Sequence, residues 1–555
     1  MGSPSDIQFT MPVMQELFTN HELLQREAAR PALDPSSPGV RTVGILGGGT
    51  AGWLTALALR AQLPWLDVTV IESASIPIIG VGEASVPSLI SFLHHYAKLD
   101  VHEFTREVKP TWKQGIRFEW GLPGDYVFQA PFDWEVNGIG MLGSMAETGN
   151  VSSFTLQGIL MMKDTTPVIR SKGQLQSFLP NLSFAYHLDN ARLVSYLVRT
   201  ALARGVRHID AKIVDAPLRA GAGGEDEPEI AHLTTDDGRK LEFDLYIDCS
   251  GFRSVLLGDK LGVKYHSYKS SLYTDTAVTF NVPHGGKLKP YTTARTMENG
   301  WCWNIPIMED EHLGYVCSSA YCSVDEALAE AQRVWPKLSN ERVVRFRSGR
   351  HDRLWVGNVF GIGNAYAFVE PLESTGLLMI TRAITSLVRA FPIGSDNQVM
   401  KRFVNTTVGR DWDRLRWFLS AHYKFNRRSD SKFWSDVREN ADVSGIAEAL
   451  DIFQTMGPLS LLPRAIRTSL IETANIFFYG LAGLDCILLG QKVPYPALSR
   501  EPSLAWRTRR QTAMEFARRG LSQADAHKAI ADHPEWLDQL VNHPASFVTK
   551  ITPYL

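Results

Sequence analysis

The sequence predicts an α/β protein in which a sheet-containing N-terminal part is followed by a mainly helical C-terminal part. The first observation is a strand, a glycine-rich turn, a helix and a second strand in direct succession between residues 42 and 72. The second is a series of strand patterns and turn signals that continues to about residue 250. The third is a largely helical pattern from about residue 376 onward.

The length of 555 residues favours two or three structural units. Residues 1–40 carry prolines with neighbouring serines, a composition that is typical of an extension or linker. The chain is therefore divided into an N-terminal extension (1–40), a sheet-containing domain (41–400) and a helical region with a C-terminal tail (401–555).

The individual elements follow from local patterns. The strand Thr42–Leu46, a helix from Ala51 to Leu63 and the strand Asp67–Ile71 form a βαβ unit. Asp189 is placed to cap a helix that runs through Ala203. Strands are expected near 207–215 and 229–235, and the turn at 236–238 leads into a strand over 241–248.

Composition excludes several classes of protein. The net charge of -2 argues against a nucleic-acid binder, and 44% hydrophobic with 21% charged residues is ordinary for a soluble protein. No apolar run reaches the 18 or so residues that a membrane-spanning helix requires, and the N-terminus does not resemble a signal peptide. The five cysteines have no metal-ligand spacing, so neither a metal site nor disulfides are expected. A cytoplasmic enzyme is the simplest interpretation.

The glycine-rich turn matches the Gly-x-Gly-x-x-Gly pattern of dinucleotide-binding sites. It contains Gly47, Gly49 and Gly52, and Thr50 and Ala51 open the helix that follows. The first glycine allows a tight turn, the second lets a pyrophosphate approach the backbone, and the third allows helix and strand to pack. The helix N-terminus stabilises the phosphate charge. The alternative is a turn whose glycines serve packing alone.

Glu72 supports the dinucleotide interpretation. It lies 20 residues beyond Gly52, at the end of the second strand, where a carboxylate can accept hydrogen bonds from the adenosine ribose. The fingerprint by itself does not separate FAD from NAD.

A second motif, W-x-W-x-I-P, lies near the middle of the chain. It consists of Trp301, Trp303, Ile305 and Pro306. With the glycine-rich turn, it resembles the signature of flavin-dependent halogenases of the tryptophan halogenase type, and the resemblance covers residues 41 to about 491. It implies an FAD-binding, Rossmann-type domain similar to flavoprotein monooxygenases, in which this segment separates flavin from substrate and so prevents hydroxylation. By spacing alone, the two tryptophans could equally form one face of a buried strand.

Two further segments resemble FAD-contacting strands of that family and favour FAD over NAD. The first, residues 244–251, contains Asp248, and the second, residues 360–365, contains Gly363. Asn364 stands where many related hydroxylases carry aspartate. The chain shows no second fingerprint for a nicotinamide cofactor, and the resemblance therefore implies that a separate NAD(P)H-dependent flavin reductase supplies FADH2.

The segment Glu370–Gly376 precedes an apolar helix over 377–391. A helix N-terminus with free N–H groups attracts anions. The resemblance implies that the backbone amides of Thr375 and Gly376 bind chloride or bromide, which reduced flavin and O2 convert to a hypohalous-acid equivalent. The alternative is a helix cap in which the acidic residues complement the helix dipole.

Lys113 matches the essential lysine of the halogenases. It lies in the segment 111–118, which follows the segment 80–87 in the family's order. Its ammonium group can polarise hypohalous acid or be halogenated itself, and the sequence leaves that choice open. Without this context a lysine would ordinarily be a solvated surface charge.

Glu373 matches the essential glutamate of the family. Electrophilic attack on an arene creates a cation that must lose a ring proton, and a nearby carboxylate can stabilise the charge and accept the proton. Ser374 would hydrogen-bond its neighbours and orient them. Helix capping by Glu373 is the alternative, and it does not exclude catalysis.

These features predict an FADH2-dependent halogenase of electron-rich aromatic rings, with a dimer as a possible assembly. The first alternative is a flavin-dependent aromatic hydroxylase of the same fold, which would use NAD(P)H and ignore halide. The second is a non-catalytic module that binds flavin or docks on a carrier protein.

The resemblance is weaker where the substrate would bind. Residues 422–434 still match the helical segment of tryptophan-type halogenases. The paired tyrosine that helps those enzymes to hold the amino-acid end of tryptophan aligns with Leu484-Asp485, and their His-x-Phe segment aligns with Phe128–Phe132. A phenol, a substituted indole or a larger polycyclic ring is therefore expected rather than free tryptophan. The C-terminal tail has no predicted role, and its arginines are expected to lie on a solvated helix face.

Overall fold

The computed structural model describes residues 39–76, 82–133, 138–221, 227–391, 397–476, 479–498, 502–543, 546, 548 and 551. Residues 1–38 of the predicted N-terminal extension lie outside the described residues, as do Gly80 and Val81 of the segment 80–87. Among the described residues, no helix is long and apolar enough to cross a membrane.

The strands are β1 (Thr42–Leu46), β2 (Asp67–Glu72), β3 (Glu83–Ala84), β4 (Thr111–Lys113), β5 (Gly115–Glu119), β6 (Phe128–Pro131), β7 (Val168–Ser171), β8 (Gln174–Ser177), β9 (Ala185–Leu188), β10 (Arg207–Asp210), β11 (Ile213–Asp215), β12 (Leu218–Arg219), β13 (Glu229–Ile230), β14 (Leu233–Thr235), β15 (Lys240–Leu241), β16 (Leu245–Asp248), β17 (Tyr265–Ser267), β18 (Thr276–Val282), β19 (Thr292–Met297), β20 (Gly300–Pro306), β21 (Glu311–Cys317), β22 (Ser339–Arg345), β23 (Gly349–His351), β24 (Trp355–Val356), β25 (Val359–Gly361) and β26 (Ala367–Phe368).

The α-helices are α1 (Thr50–Gln62), α2 (Ser88–Ser91), α3 (Val101–Val108), α4 (Gly138–Thr148), α5 (Leu156–Met162), α6 (Asn190–Ala203), α7 (Val324–Val334), α8 (Gly376–Ala390), α9 (Gln398–Lys424), α10 (Lys432–Asn440), α11 (Ala447–Met456), α12 (Arg464–Thr473), α13 (Gly480–Gly490), α14 (Ser503–Arg518), α15 (Gln523–Asp532) and α16 (Glu535–Asn542).

The predicted βαβ unit is confirmed and forms the centre of a six-stranded sheet with the order β10-β2-β1-β16-β25-β24. Strand β1 pairs in parallel with both β2 and β16. Because its neighbours cover both edges and helices cover the faces, β1 is apolar and almost wholly buried. The predicted strand over 241–248 is wrong at its centre, since β15 ends at Leu241 and β16 begins at Leu245. Between them, Asp244 accepts hydrogen bonds from the amides of Arg41 and Thr42.

A second sheet has seven strands in the order β22-β18-β21-β20-β19-β5-β6. The W-x-W-x-I-P motif lies in β20, near the middle of this sheet, and all seven residues of that strand are buried. A third, three-stranded sheet has the order β3-β9-β4 and carries Lys113 at the end of β4. The hydroxyl of Thr111 donates to the carbonyl oxygen of Pro306 at 2.7 Å, which ties β4 to the end of β20.

The helical C-terminal part is confirmed, since the described residues after 375 form helices and no strands. Helix α9 begins at Gln398 and so runs across residue 400, the boundary expected from the sequence. Asp189 caps α6 as expected, because its side chain accepts a hydrogen bond from the amide of Arg192. The last helices lie against the earlier domain: Trp506 of α14 packs on Gly143 of α4.

Candidate active site

The predicted nucleotide turn connects β1 to α1. Gly47 has a φ of +119°, a value that favours glycine, and a Cβ there would meet the carbonyl oxygen of Cys249 at 2.2 Å. A Cβ on Gly52 would meet the carbonyl oxygen of Gly47 at 2.0 Å, so the third glycine is needed for helix and strand to pack. A Cβ on Gly49 would meet no protein atom, which leaves the space over this residue free for a ligand.

The residues around this turn are arranged as a cradle for a dinucleotide. Thr50 and Ala51 begin α1, and the Thr50 hydroxyl donates to Asn190 at 2.7 Å. Glu72 ends β2 beside the turn and lies 3.1 Å from Nε2 of His208, and burial raises the pKa of its carboxyl group. The turn, Glu72 and Gly363 all line one cavity of about 590 Å³. Shape and donors therefore fit the phosphates and ribose of a dinucleotide.

Asp248 has a different environment from the one expected of a cofactor ligand. It is fully buried, and its carboxylate accepts hydrogen bonds from the amides of Ser250, Leu256 and Leu257 at 2.8–3.0 Å. The side chain thus caps the short helix that follows β16 and does not line the cavity. Gly363, by contrast, lines the cavity with a φ of +65°, next to Asn364.

Away from the glycine-rich turn, the same cavity is lined by the loop that precedes α8. Glu373 and Ser374 have φ values of +70° and +58°, the left-handed region that non-glycine residues seldom adopt. Two such residues in succession indicate a strained loop that its surroundings hold in place, as is found at functional sites. The backbone carries Glu373, Ser374, Thr375 and Gly376 to the cavity wall.

Lys113 reaches this loop from β4. Its Nζ donates a hydrogen bond of 2.7 Å to Oγ of Ser374, across 261 residues of sequence. The side chain is fully buried, and burial lowers its pKa to about 7, although Glu373 acts in the opposite direction. The ring of Phe132 lies 5.1 Å from Nζ. The structure therefore brings together Lys113, Glu373 and Ser374, as the sequence motifs predicted.

Glu373 has partners that the sequence analysis did not identify. Nε2 of His422, on α9, lies 2.8 Å from its Oε1. The hydroxyl of Tyr479 donates to its backbone carbonyl oxygen at 3.0 Å. Tyr479 lies five residues before Leu484, so a tyrosine in the approach to Cys486 was the signal that could have found it. His422 belonged to a matched segment, but nothing in the sequence linked it to Glu373.

The predicted halide position lies at the start of α8. The hydroxyl of Thr375 is buried, and it has no hydrogen-bond partner within the described part of the chain. A Cβ on Gly376, the first residue of α8, would meet no atom within 4 Å. A free hydroxyl, a helix N-terminus and open space form an arrangement that can hold a small anion.

The W-x-W-x-I-P strand forms a wall of the same cavity through three of its residues, Trp301, Trp303 and Ile305. Pro306 does not line the cavity, but its carbonyl oxygen binds Thr111 of the lysine strand. Nε1 of Trp301 donates to Oε1 of Glu370 at 3.3 Å.

Glu370 is a further buried group that the sequence analysis left without a role. The hydroxyls of Tyr423 and Thr274 also donate to it, and burial raises its pKa. Glu370 thus joins the wall strand, helix α9 and the loop before α8.

Leu484 and Asp485, the residues aligned with the substrate-holding tyrosines, are directed into the protein. Asp485 accepts hydrogen bonds from the amides of Leu459 and Ser460 at 2.7 and 2.8 Å. Both residues are buried, and burial raises the pKa of the Asp485 carboxyl group to about 6. Asp485 therefore caps the turn at 459 and is not placed to bind a ligand.

Comparisons with known proteins show the family of this chain. The family model described as "Tryptophan halogenase" matches residues 42–500. Tryptophan 7-halogenase KtzQ from Kutzneria sp. (strain 744) is 33% identical over 448 residues, which cover 76% of this chain and 83% of the relative.

Solved structures extend the likeness to the fold. The crystal structure of MibH, a lanthipeptide tryptophan 5-halogenase, has a TM-score of 0.89 at 48% identity and covers 94% of this chain and all of that one. The structure of tryptophan 6-halogenase SttH from Streptomyces toxytricini has a TM-score of 0.78 at 29% identity and covers 88% and 99% of the two chains.

With the nucleotide cradle, these comparisons identify a flavin-dependent oxidoreductase that halogenates aromatic substrates. The chain belongs to the tryptophan halogenase family. The comparisons support halogenation and not the hydroxylase alternative.

Proposed function

We propose that this halogenase acts on the indole ring of a tryptophan residue within a peptide. The observation that carries the proposal is that Glu373 and Ser374 line the flavin-sized cavity while the buried Lys113 donates to Ser374, which supplies the groups that electrophilic halogenation of a ring requires. The indole is the most electron-rich ring among the natural side chains, and the relatives found above are tryptophan halogenases.

Two observations support a peptide rather than the free amino acid. The lanthipeptide halogenase MibH is 48% identical to this chain, whereas the tryptophan halogenases KtzQ and SttH are 33% and 29% identical. In addition, Asp485 is engaged by backbone amides, so it does not offer its charge to a free ammonium group.

The cofactor in this proposal is FAD, used as FADH2 that a separate NAD(P)H-dependent flavin reductase supplies, and O2 is the oxidant. The glycines at 47, 49 and 52 hold the pyrophosphate, Glu72 binds the ribose, and Gly363 lets the backbone approach the cofactor. Reduced flavin and O2 together provide the oxidising equivalent for the halide. The flavin and halogenase domain precedes α9, and the helical region from α9 onward contributes His422 and Tyr479 beside Glu373.

Chloride or bromide is held at the N-terminus of α8, by the backbone amides of Thr375 and Gly376. The buried Thr375 hydroxyl, which is otherwise without a partner among the described residues, can donate a further hydrogen bond to the anion. Trp301, Trp303 and Ile305, which line the cavity, and Pro306, which ends the same strand, keep the substrate apart from the flavin, so the product is halogenated and not hydroxylated.

Lys113 delivers the electrophilic halogen. Ser374 fixes the direction of its Nζ through a hydrogen bond of 2.7 Å. A buried ammonium group beside hypohalous acid draws electron density from the halogen and so makes it more electrophilic. Glu373 then stabilises the ring cation and accepts its proton.

The proposal is tested by product analysis with the purified enzyme, FAD, a flavin reductase, NADH and bromide or chloride. Two substrates are compared: L-tryptophan, whose amino and carboxylate groups are free, and the peptide acetyl-Gly-Trp-Gly-amide, in which both groups are in peptide bonds. We expect a bromine isotope doublet on the peptide and little or none on the amino acid. An oxygenated product that forms without halide would contradict halogenation, and exclusive reaction of free tryptophan would contradict the peptide substrate.

We further propose that the enzyme is a cytoplasmic homodimer that needs no membrane and no nucleic acid; activity without lipid and the mass in solution test the assembly. Full activity without lipid, together with the mass of a dimer in light scattering, is the expected result. A monomeric active enzyme would remove the dimer from the proposal.

A further inference from the structure

The hydrogen bond between His422 and Glu373 constrains where one proton lies. Nδ1 of His422 lies 3.0 Å from the carbonyl oxygen of Phe418. A carbonyl oxygen only accepts, so Nδ1 carries a hydrogen and donates it. In a neutral imidazole Nε2 is then an acceptor, and it faces a carboxylate oxygen at 2.8 Å. Two acceptors at this distance require a proton between them, so the pair holds at least one.

The surroundings of the His422 ring are apolar. His422 is fully buried, and its ring is packed against the rings of Phe118, Phe418 and Trp120, with centroid distances of 5.2–6.2 Å. Among the residues that the structure describes, Glu373 is the hydrogen-bond partner of Nε2. The backbone of His422 is held as well, since Nε1 of Trp120 donates to its carbonyl oxygen at 2.9 Å.

The two oxygens of Glu373 therefore differ. Oε1 is bound to His422, whereas Oε2 has no hydrogen-bond partner among the residues that the structure describes. Glu373 lines the cavity, and the charged or ionisable groups near its carboxylate are Lys113, His422, Tyr479 and Cys486. Oε2 is thus the oxygen available to a substrate.

We propose that His422 is a positioning residue for the base of this enzyme, and that the Glu373–His422 pair, rather than Glu373 alone, receives the proton that the ring loses. This rests on the proposed role of Glu373 in halogenation. The ring C–H bond breaks, its electrons return to the ring and restore aromaticity, and the proton goes to Oε2. The proton between Oε1 and Nε2 moves towards Nε2 at the same time. The ring becomes neutral and the pair gains one positive charge.

The pairing also explains why a glutamate is held in a left-handed backbone conformation. The φ of +70° at Glu373 is costly for a residue with a Cβ, and the His422 contact, together with the Tyr479 bond to the Glu373 carbonyl, fixes that geometry. His422 therefore orients the Glu373 carboxylate and shares a proton with it.

The first test examines the resting protein and needs no substrate. A proton held between Oε1 and Nε2 gives a strongly low-field signal in the proton NMR spectrum, because a hydrogen bond between oxygen and nitrogen deshields the proton that it shares. We expect such a signal in the wild type and its loss in His422→Gln. A wild-type spectrum without it, or a signal that persists in His422→Gln, would overturn the shared proton.

The second test measures proton removal during turnover. Glutamine in place of His422 keeps an N–H donor near Oε1 but cannot take up a proton. With acetyl-Gly-Trp-Gly-amide carrying a deuterated indole ring, we expect no isotope effect for the wild type, where ring-proton loss is fast. In His422→Gln we expect turnover at least about tenfold slower and a primary deuterium isotope effect, because proton removal becomes limiting.

A purely structural role would slow the variant without an isotope effect, and that outcome would overturn the proposal. Tyr423→Phe is the matched control: it removes a buried hydrogen bond to Glu370 from the neighbouring residue of α9 and should show no isotope effect. If the wild type halogenates no tryptophan peptide, the proposed function fails, while the low-field signal still decides the nature of the pair.

Discussion

The nucleotide turn and the loop of the reaction site line one cavity, yet the two sites are built in opposite ways. The turn is a single segment, residues 47–52, in which each glycine meets a steric demand within its own neighbourhood. The reaction site joins β4, the loop before α8, and α9, and its central hydrogen bond spans 261 residues. A local site can be inferred from spacing alone, whereas a composite site becomes visible only when the fold brings its segments together.

The comparison implies that the two regions can be inactivated separately. Lys113→Ala should produce the largest effect, a loss of halogenation below detection, because it removes the only group that the proposal assigns to halogen delivery. Flavin affinity should remain that of the wild type, since Lys113 does not line the cradle. Product mass spectrometry and flavin titration measure the two properties. Retained halogenation would remove Lys113 from the mechanism.

Glu373→Gln should be the next largest effect, a decrease in turnover of about 10²–10⁴-fold, as is typical when a general base is lost. The flavin should stay bound and should still be reoxidised by O2 in the presence of halide. Single-turnover halogenation, followed alongside flavin absorbance, separates these steps. Equal slowing of both steps would mean that Glu373 supports the fold rather than proton removal.

The protonation state of Lys113 gives a pH dependence with a definite sign. Burial lowers its pKa to about 7, so the ammonium form falls about tenfold for each pH unit above that value. If the ammonium group polarises hypohalous acid, the halogenation step slows as pH rises through about 7. We expect this slope in rapid-quench experiments with enzyme that has already been reduced. The opposite slope would identify the neutral amine, and hence a halogenated lysine, as the halogen carrier.

The nucleotide turn could be predicted from the sequence almost completely, and the reaction site in part. The βαβ unit, the three glycines and Glu72 lie where local spacing put them. Lys113 and Glu373 were found by resemblance, and their partners were not. His422 and Tyr479 are ordinary residues of a helix and of an apolar segment, and only tertiary packing gives them a role. Asp248 shows the converse, because it lies in a matched segment but its carboxylate accepts hydrogen bonds from backbone amides.

The nucleotide turn offers a prediction that separates ligand contact from folding. Gly49→Ala adds a Cβ that meets no protein atom, so the melting temperature of the flavin-free protein should not change. The same Cβ enters the space proposed for the pyrophosphate, and flavin affinity should fall by about tenfold, or 1.4 kcal/mol. Gly52→Ala is the control: its Cβ meets the Gly47 carbonyl oxygen at 2.0 Å and should lower the melting temperature itself. Unchanged affinity in Gly49→Ala would place the phosphates elsewhere.

The smallest expected effect concerns the C-terminal tail, which the sequence left without a role. Gln523 of α15 is fully buried: its Oε1 accepts the amide of Trp112 at 2.9 Å, and its Nε2 donates to the carbonyl oxygen of Lys289 at 2.9 Å. The ring of His527 stacks on Trp112 at 4.3 Å, with its pKa lowered to about 4 by burial. The tail thus covers the strand edge next to Lys113.

Gln523→Leu leaves an amide and a carbonyl group buried and unpaired, at a cost of about 1–3 kcal/mol. We therefore expect a lower melting temperature and a decrease of a few-fold in halogenation, with flavin affinity unchanged. Gln511→Leu, on the exposed face of α14, is the matched control and should change neither property. If Gln523→Leu weakened flavin binding as much as halogenation, the tail would support the whole cavity. The reaction site would then not be separable from the nucleotide turn.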